Sequence, residues 1–376
     1  MNFLLYILCF IILFFPLYLI RFDVFNIPTN FLEISVLVLF VLWLLSKGWA
    51  GLKKIFLENK LLFLGILFLF IGVSISTVFS WNFRVSAGIW KGWFILPFLF
   101  FLVLISIVDD KKKLFKVIIF FLFSAFFVGL VSLFGDWNHQ GRLQGIFNSP
   151  NFLAMYIAPA FIFSLILFYF KKRAYLLFLV IFYLFVLLLT FSIGAWIGVL
   201  GSLVFSLCYL YFLKGRKKEV IFFCLLFFII CLGLFFFKSN ILPEGSSSID
   251  ARLLIWGKAV DVFLEYPFIG IGPGTFESYF PPYPKWGVPQ PHNLYLAFLI
   301  QAGTVGFVGF LILLWWFYRE GFKGGKISLL LMSGMAYILI HGLFDTLYWK
   351  NDLSFIFWLI LGLMVINKSL LDKKAF

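Results

Sequence analysis

The chain has 376 residues, 64% of them hydrophobic and only 12% charged, with a mean hydropathy of +1.09. A soluble globule carries about twice that charged fraction, so the composition excludes one. A net charge of +14 would point to nucleic acid in a soluble protein, but here Lys and Arg fall in short runs between apolar segments, the pattern of membrane topology rather than of a nucleic-acid surface.

A membrane-crossing helix needs about 20 predominantly apolar residues. Twelve segments qualify, at 2–20, 31–46, 61–79, 87–108, 114–134, 151–170, 174–191, 195–213, 219–237, 293–316, 327–343 and 353–367. The expected fold is therefore all-α: a single integral membrane domain of about twelve spans over residues 1–376, with no soluble domain and no internal repeat. The first segment has neither a basic leader nor a small-residue cleavage site and reads as an uncleaved span. Cys9, Cys208, Cys224 and Cys231 all lie inside apolar segments at no metal-ligand spacing and read as buried or lipid-facing thiols.

Sidedness follows from the basic residues, which accumulate in cytoplasmic loops. Connections at 47–60, 111–116, 171–173, 214–218 and 319–326, with the tail 368–374, hold 21 of the 30 Lys and Arg. Both termini are thus expected in the cytoplasm. The interval 238–292, between the ninth and tenth spans, then lies outside. An interval this long and this rich in aromatic residues and proline is more than a linker. Within it, residues of about 250–265 have the spacing of an amphipathic helix, with Asp250 as a plausible N-cap and Trp256, Ala259, Val260 and Phe263 on one face. The other extended outer connection is Gly135 to Pro150.

Nine basic residues stand on this outer side, and Arg142 and Arg252 are the clearest whose position topology does not explain. Each alone reads as a solvated loop residue. Together they suit a phosphate or pyrophosphate at headgroup level, because guanidinium binds phosphate oxygens in bidentate fashion. Of the three histidines, His139 sits in a polar loop, His341 lies near the outer end of the eleventh span, and His292 closes the long interval in Pro291-His292-Asn293. His292 is the best candidate proton acceptor, and its plain alternative is a helix-capping histidine. His341 and Asp345 are four apart and would share a helix face as a supporting pair. The turn Gly270-Ile-Gly-Pro-Gly274 lacks the Lys-Ser/Thr of a nucleotide loop and reads as a tight return to the membrane, with backbone N–H groups available to an anion. Outer carboxylates are scattered, with no Asp-x-Asp pair for a divalent metal, so neither a metal nor another cofactor is expected.

Four stretches in order carry a family resemblance: Arg142-Leu-Gln-Gly-Ile-Phe-Asn-Ser-Pro-Asn151, Arg252-Leu-Leu-Ile-Trp256, Pro267-Phe-Ile-Gly-Ile-Gly-Pro-Gly-Thr-Phe276, and His292-Asn293-Leu-Tyr-Leu followed by Gly303-Thr-Val-Gly306. They resemble the O-antigen ligase and O-antigen polymerase superfamily of bacterial membrane glycosyltransferases. The resemblance implies transfer of a glycan from an undecaprenyl pyrophosphate carrier to an acceptor hydroxyl on lipid, glycan or protein, without metal or nucleotide sugar. It implies that His292 activates the acceptor and Arg252 contacts the pyrophosphate, with Arg142 and Asn151 beside it. Asn293, Trp256, His341 and Asp345 are expected in support. One position departs. Where the family often shows Thr-x-Ser-Arg-Gly-Ala, this chain has Thr190-Phe-Ser192-Ile193-Gly194-Ala195, so either Arg84 or Lys91 supplies the charge or the phosphate is held differently.

Ligase, polymerase and protein O-oligosaccharyltransferase activities share these motifs. From a different class, a lipid-linked-glycan transporter or flippase would need charge within spans, for which Glu33 and Lys91 are the main candidates. A homologue that only binds the carrier lipid is the third reading, resting on Ile193.

Overall fold

The computed structural model describes residues 2–24, 27–236, 249–279 and 288–373. The serine run at 246–248 lies outside the described residues, as does the side chain of Asp250.

In chain order the helices are α1 (Asn2–Leu13), α2 (Phe31–Leu45), α3 (Leu52–Glu58), α4 (Lys60–Val78), α5 (Phe83–Ile89), α6 (Leu96–Ile107), α7 (Lys111–Leu133), α8 (Pro150–Lys171), α9 (Ala174–Leu189), α10 (Ile193–Leu213), α11 (Lys217–Phe236), α12 (Ile249–Glu265), α13 (Leu294–Gly321), α14 (Lys326–His341) and α15 (Asn351–Asp372). Two antiparallel hairpins accompany them, β1 (Arg21–Val24) with β2 (Ile27–Asn30) and β3 (Asp136–Trp137) with β4 (Leu143–Gly145). Against twelve expected spans, seven helices among the described residues are long and apolar enough to cross a membrane. An eighth is possible in the pair Phe31–Leu45 and Gly48–Glu58, bent by 80°. The expected first span, 2–20, is a shorter helix followed by a 3-10 turn at Phe15–Leu19, because Pro16 cannot continue the α-helical ladder. The chain forms two compact units.

The first unit comprises residues 1–120, 249–323 and 343–376. Its α4 and α13 approach closely through small residues: a Cβ at Gly72 would strike the backbone of Gly306, and one at Gly309 the backbone of Leu69. Close backbone approach of this kind substitutes for the hydrophobic drive that lipid removes. Helix α15 is buried from Asp352 to Asn367. Trp358 Nε1 donates to the Tyr348 hydroxyl at 3.1 Å, and that hydroxyl donates to the Trp93 carbonyl at 2.9 Å. These bonds fix the turn 343–350 that precedes α15. Trp93 lies in a π-helical stretch, Trp90–Ile95, between α5 and α6. From the same stretch Lys91 reaches buried Glu33 at 2.8 Å and the Pro28 carbonyl at 2.8 Å, while Thr29 donates to Glu33 at 2.9 Å. The two charges that a transporter reading would need are thus spent on each other.

The second unit comprises residues 121–248 and 324–342. Helix α8 begins with Ser149 as N-cap, its hydroxyl accepting from Asn151 N at 3.3 Å, and Pro150 in the first turn, where a missing N–H costs nothing. Buried hydroxyls tie its helices together: Ser124 to Tyr156 at 2.6 Å, Ser202 to the Ser333 carbonyl at 2.6 Å, and Ser206 to the Ser333 hydroxyl at 2.6 Å. In the β3–β4 connection the Asn138 side chain accepts from Gln140 N at 3.0 Å and Arg142 N at 2.9 Å, with Gly141 left-handed at φ +69°. That turn carries both His139 and Arg142.

Candidate active site

His292 is built into the first unit by its neighbour. Asn293 caps α13, its side-chain oxygen accepting from Tyr295 N and Leu296 N, each at 3.0 Å, while its amide nitrogen donates to the Leu343 carbonyl at 3.1 Å. Three bonds therefore hold residue 293, and the residue before it takes up the turn. His292 sits at φ +48°, the left-handed region, which costs an L-residue roughly 1–2 kcal/mol. Strain of this kind persists only where the surroundings over-determine it, and it gathers at functional sites. Gln301 on α13 donates to Gln290 at 2.8 Å and pins the chain just ahead of the histidine.

The imidazole is 41% exposed, and its Nδ1 lies 3.3 Å from Oδ1 of Asp345, whose side chain is 5% exposed. The same carboxylate oxygen accepts from Thr346 N at 2.9 Å, which fixes its orientation. With Nδ1–H directed at Asp345, Nε2 becomes the acceptor nitrogen. The separation exceeds the roughly 2.7–2.9 Å of a charge-assisted bond. A common helix face for His341 and Asp345 was expected, but α14 ends at His341 and Gly342, so Asp345 falls in the following turn. Nothing in the sequence marks Asp345 as the partner of a histidine 53 positions earlier.

Helix α12 begins at Ile249, one residue before Asp250. Its buried stripe is Ile255, Ala259 and Val262, packed with Trp256 and Phe263 on Ile271, Phe276, Val288 and Ile300. Val260, expected on this face, is exposed. Beside the stripe, Arg252 Nε and Trp256 Nε1 are both buried without a hydrogen-bond partner among the described residues. They are four residues apart and so are neighbours on one helix surface. Each buried unpaired donor costs about 1–3 kcal/mol, and two side by side mark a place that an acceptor would satisfy. Near the end of this stretch, burial pushes the Tyr279 hydroxyl up to about 12, with Tyr266 and Glu265 adding to the shift, so it is a neutral hydroxyl at physiological pH.

The glycine turn plays a different part from the expected one. Gly270 N donates to the Tyr266 carbonyl at 3.0 Å, Ile271 N to the Ile300 carbonyl at 2.7 Å, Gly272 N to the Ser76 hydroxyl at 2.8 Å and Gly274 N to the Gln301 side chain at 2.7 Å. These N–H groups bind protein and are not available to an anion. The turn docks where α13 is broken at Gly303, φ +65° and ψ 178°, a conformation that belongs essentially to glycine. There Thr304 donates to the Pro267 carbonyl through both its N, at 3.0 Å, and its hydroxyl, at 2.7 Å. The Gly303-Thr-Val-Gly306 motif is thus a socket for the loop and, at Gly306, a contact with α4.

In the second unit, Arg142 Nε donates to the Thr190 carbonyl at 2.9 Å and its Nη2 to Asn151 Oδ1 at 2.9 Å. Arg142 and Asn151 therefore meet at the N-terminus of α8. Thr190 opens the stretch in which Ile193 departs from the family pattern, so a guanidinium does stand beside that turn. It is Arg142's; Lys91 is held by Glu33 in the first unit. His341 Nδ1 bonds the Tyr337 hydroxyl at 2.8 Å, deep in α14.

Residues 178–311 match the family model described as O-antigen ligase. Over those residues the chain is similar to the O-antigen ligase superfamily. The matched stretch contains Arg252, Trp256, the glycine turn, His292 and Asn293; Arg142, Asn151, His341 and Asp345 lie outside it. No curated protein matches the chain. Seven or eight helices among the described residues are long and apolar enough to span, the make-up of a multi-pass membrane protein.

Proposed function

We propose that this O-antigen ligase homologue transfers a glycan from a polyprenyl pyrophosphate carrier to an acceptor hydroxyl on the extracytoplasmic face of the membrane. The carrying observation is the His292–Asp345 pair: a half-exposed imidazole, held in a strained backbone and oriented by a buried carboxylate. Nε2 of His292 takes the proton of the acceptor hydroxyl as its oxygen attacks the anomeric carbon. The bond from that carbon to the pyrophosphate oxygen breaks, and the carrier pyrophosphate leaves with the electron pair. Asp345 stabilises the imidazolium, which then returns its proton to solvent.

The leaving group is dianionic or more and needs donors placed where its charge grows. Arg252 and Trp256 offer two unsatisfied N–H groups for this on α12, and Arg142 with Asn151 offers a second polar cluster. Guanidinium groups would take the part that a divalent metal takes in other glycosyl transfers. The concentration of Lys and Arg in the remaining connections supports the sidedness. Ligation of a finished glycan is the reading favoured by the family match, with polymerisation and protein glycosylation as variants in acceptor.

The test is reconstitution with a purified polyprenyl-pyrophosphate glycan and a panel of acceptors. Wild type should form covalent product, and His292→Ala and Arg252→Ala should not. Equal product from all three would end the assignment, and uptake into vesicles without covalent product would make the protein a transporter.

A further inference from the structure

The second unit holds an apolar groove of about 400 Å³, within the range of ligand clefts. It runs between the C-terminal half of α8, the C-terminal half of α10 and the start of α14, with Phe170, Leu203, Leu207, Leu210 and Leu329 on its walls. Among the described residues, the one charged side chain lining it is that of Lys214, the residue after α10. A second ammonium stands at the same end: Lys326, the first residue of α14, lies 4.9 Å from the ring centroid of Phe170. Both lysines are exposed, and neither forms an ion pair with a carboxylate among the described residues. The groove's serine, Ser206, spends its hydroxyl on Ser202 and Ser333, so the walls offer a ligand essentially hydrocarbon.

The position on α8 distinguishes this groove from a place for the glycan carrier. Asn151 and the Arg142 cluster lie at the N-terminus of α8, and Phe170 near its C-terminus. At 1.5 Å per residue the two ends are roughly 30 Å apart, the thickness of a bilayer's hydrocarbon core. The basic mouth of the groove therefore faces the opposite surface of the membrane from the Arg142 cluster.

We propose that this groove is a binding site for an anionic phospholipid, one acyl chain lying between α8 and α10 and the headgroup phosphate over Lys214 and Lys326. Basic pockets between membrane helices bind acidic lipid headgroups in this manner. A neutral lipid would fill the same hydrocarbon slot but would leave the lysines without a partner. The site does not depend on the glycosyl-transfer reading, since it uses none of those residues.

The experiment is native mass spectrometry of the intact purified protein, exchanged with mixed micelles containing phosphatidylglycerol or phosphatidylcholine. Wild type should retain phosphatidylglycerol in preference, and less of it as salt is raised. Lys214→Gln with Lys326→Gln should lower phosphatidylglycerol retention by about fivefold for each lysine removed and leave phosphatidylcholine unchanged. Leu207→Trp, which fills the slot, should reduce both lipids. An unchanged lipid-free melting temperature shows that each variant is folded, and the salt dependence of wild type tests the proposal without any substitution. Equal retention of the two lipids by wild type, or undiminished phosphatidylglycerol in the double lysine variant, would overturn it.

Discussion

Replacing Asp345 with Asn separates the electrostatic part of the proposed mechanism from the packing part, because the side chain keeps its shape in a site where it is only 5% exposed. Two effects follow. The first is loss of charge opposite the developing imidazolium. At 3.3 Å a unit pair is worth about 5 kcal/mol at an effective dielectric of 20 and about 1.3 kcal/mol at 80. With the imidazole 41% exposed the middle of that interval applies, about 2–3 kcal/mol, or roughly 30- to 150-fold in rate. The second is the tautomer: an amide N–H facing Nδ1 would move the ring proton to Nε2, where the acceptor hydroxyl needs a lone pair. Asp345→Asn should therefore lower the single-turnover rate of glycan transfer by about 100-fold or more, with donor affinity unchanged. The assay is rapid-quench transfer from a labelled polyprenyl-pyrophosphate glycan at saturating acceptor. A variant with the wild-type rate would refute the dyad, and so would one that fails only in donor binding.

Three other outcomes follow from the same geometry. His292→Gly relieves a left-handed L-residue, so it should abolish transfer while keeping or raising the melting temperature in detergent; a clear drop in stability would show that the imidazole is a structural cap. Trp256→Phe removes one N–H that is buried and unpaired, so stability should hold while donor affinity falls about tenfold, the loss of a bond to a charged group; unchanged affinity would remove Trp256 from the phosphate site. Gly303→Ala sets a Cβ against the Phe268 carbonyl in a backbone region closed to alanine, and should cost more than about 2 kcal/mol and several degrees of melting temperature; a wild-type melt would contradict the socket at the α13 break.

Most of the helical scaffold was legible because apolar runs bounded by Lys clusters leave few other readings. Arg252, Arg142 and His292 stand out as candidates from residue type, since guanidinium and imidazole have few reasons to stand at the outer ends of apolar segments. Asp345 as a histidine partner was not. Its role depends on α14 stopping at His341, for which Gly342 was the available sign, and on a turn fixed by Tyr348 and Trp358, which no local pattern reports. The glycine turn was read as a turn correctly but as an anion cradle wrongly, since its N–H groups are consumed by Ser76 and Gln301, nearly 200 and about 30 residues away. Lys91 looked available to a phosphate because its acidic partner, Glu33, belongs to a helix two segments earlier. What escaped in each case was a pairing between distant parts of the chain, to which periodicity is blind.

The plug-and-socket joint at Gly303 bears on how such chains can be recombined. Residues 267–274 and 300–306 share hydrogen bonds and allow no Cβ at several points, so neither half fits a foreign counterpart unless it brings the same backbone path. Chimaeras between related chains should carry both segments as one cassette, with crossover points outside them.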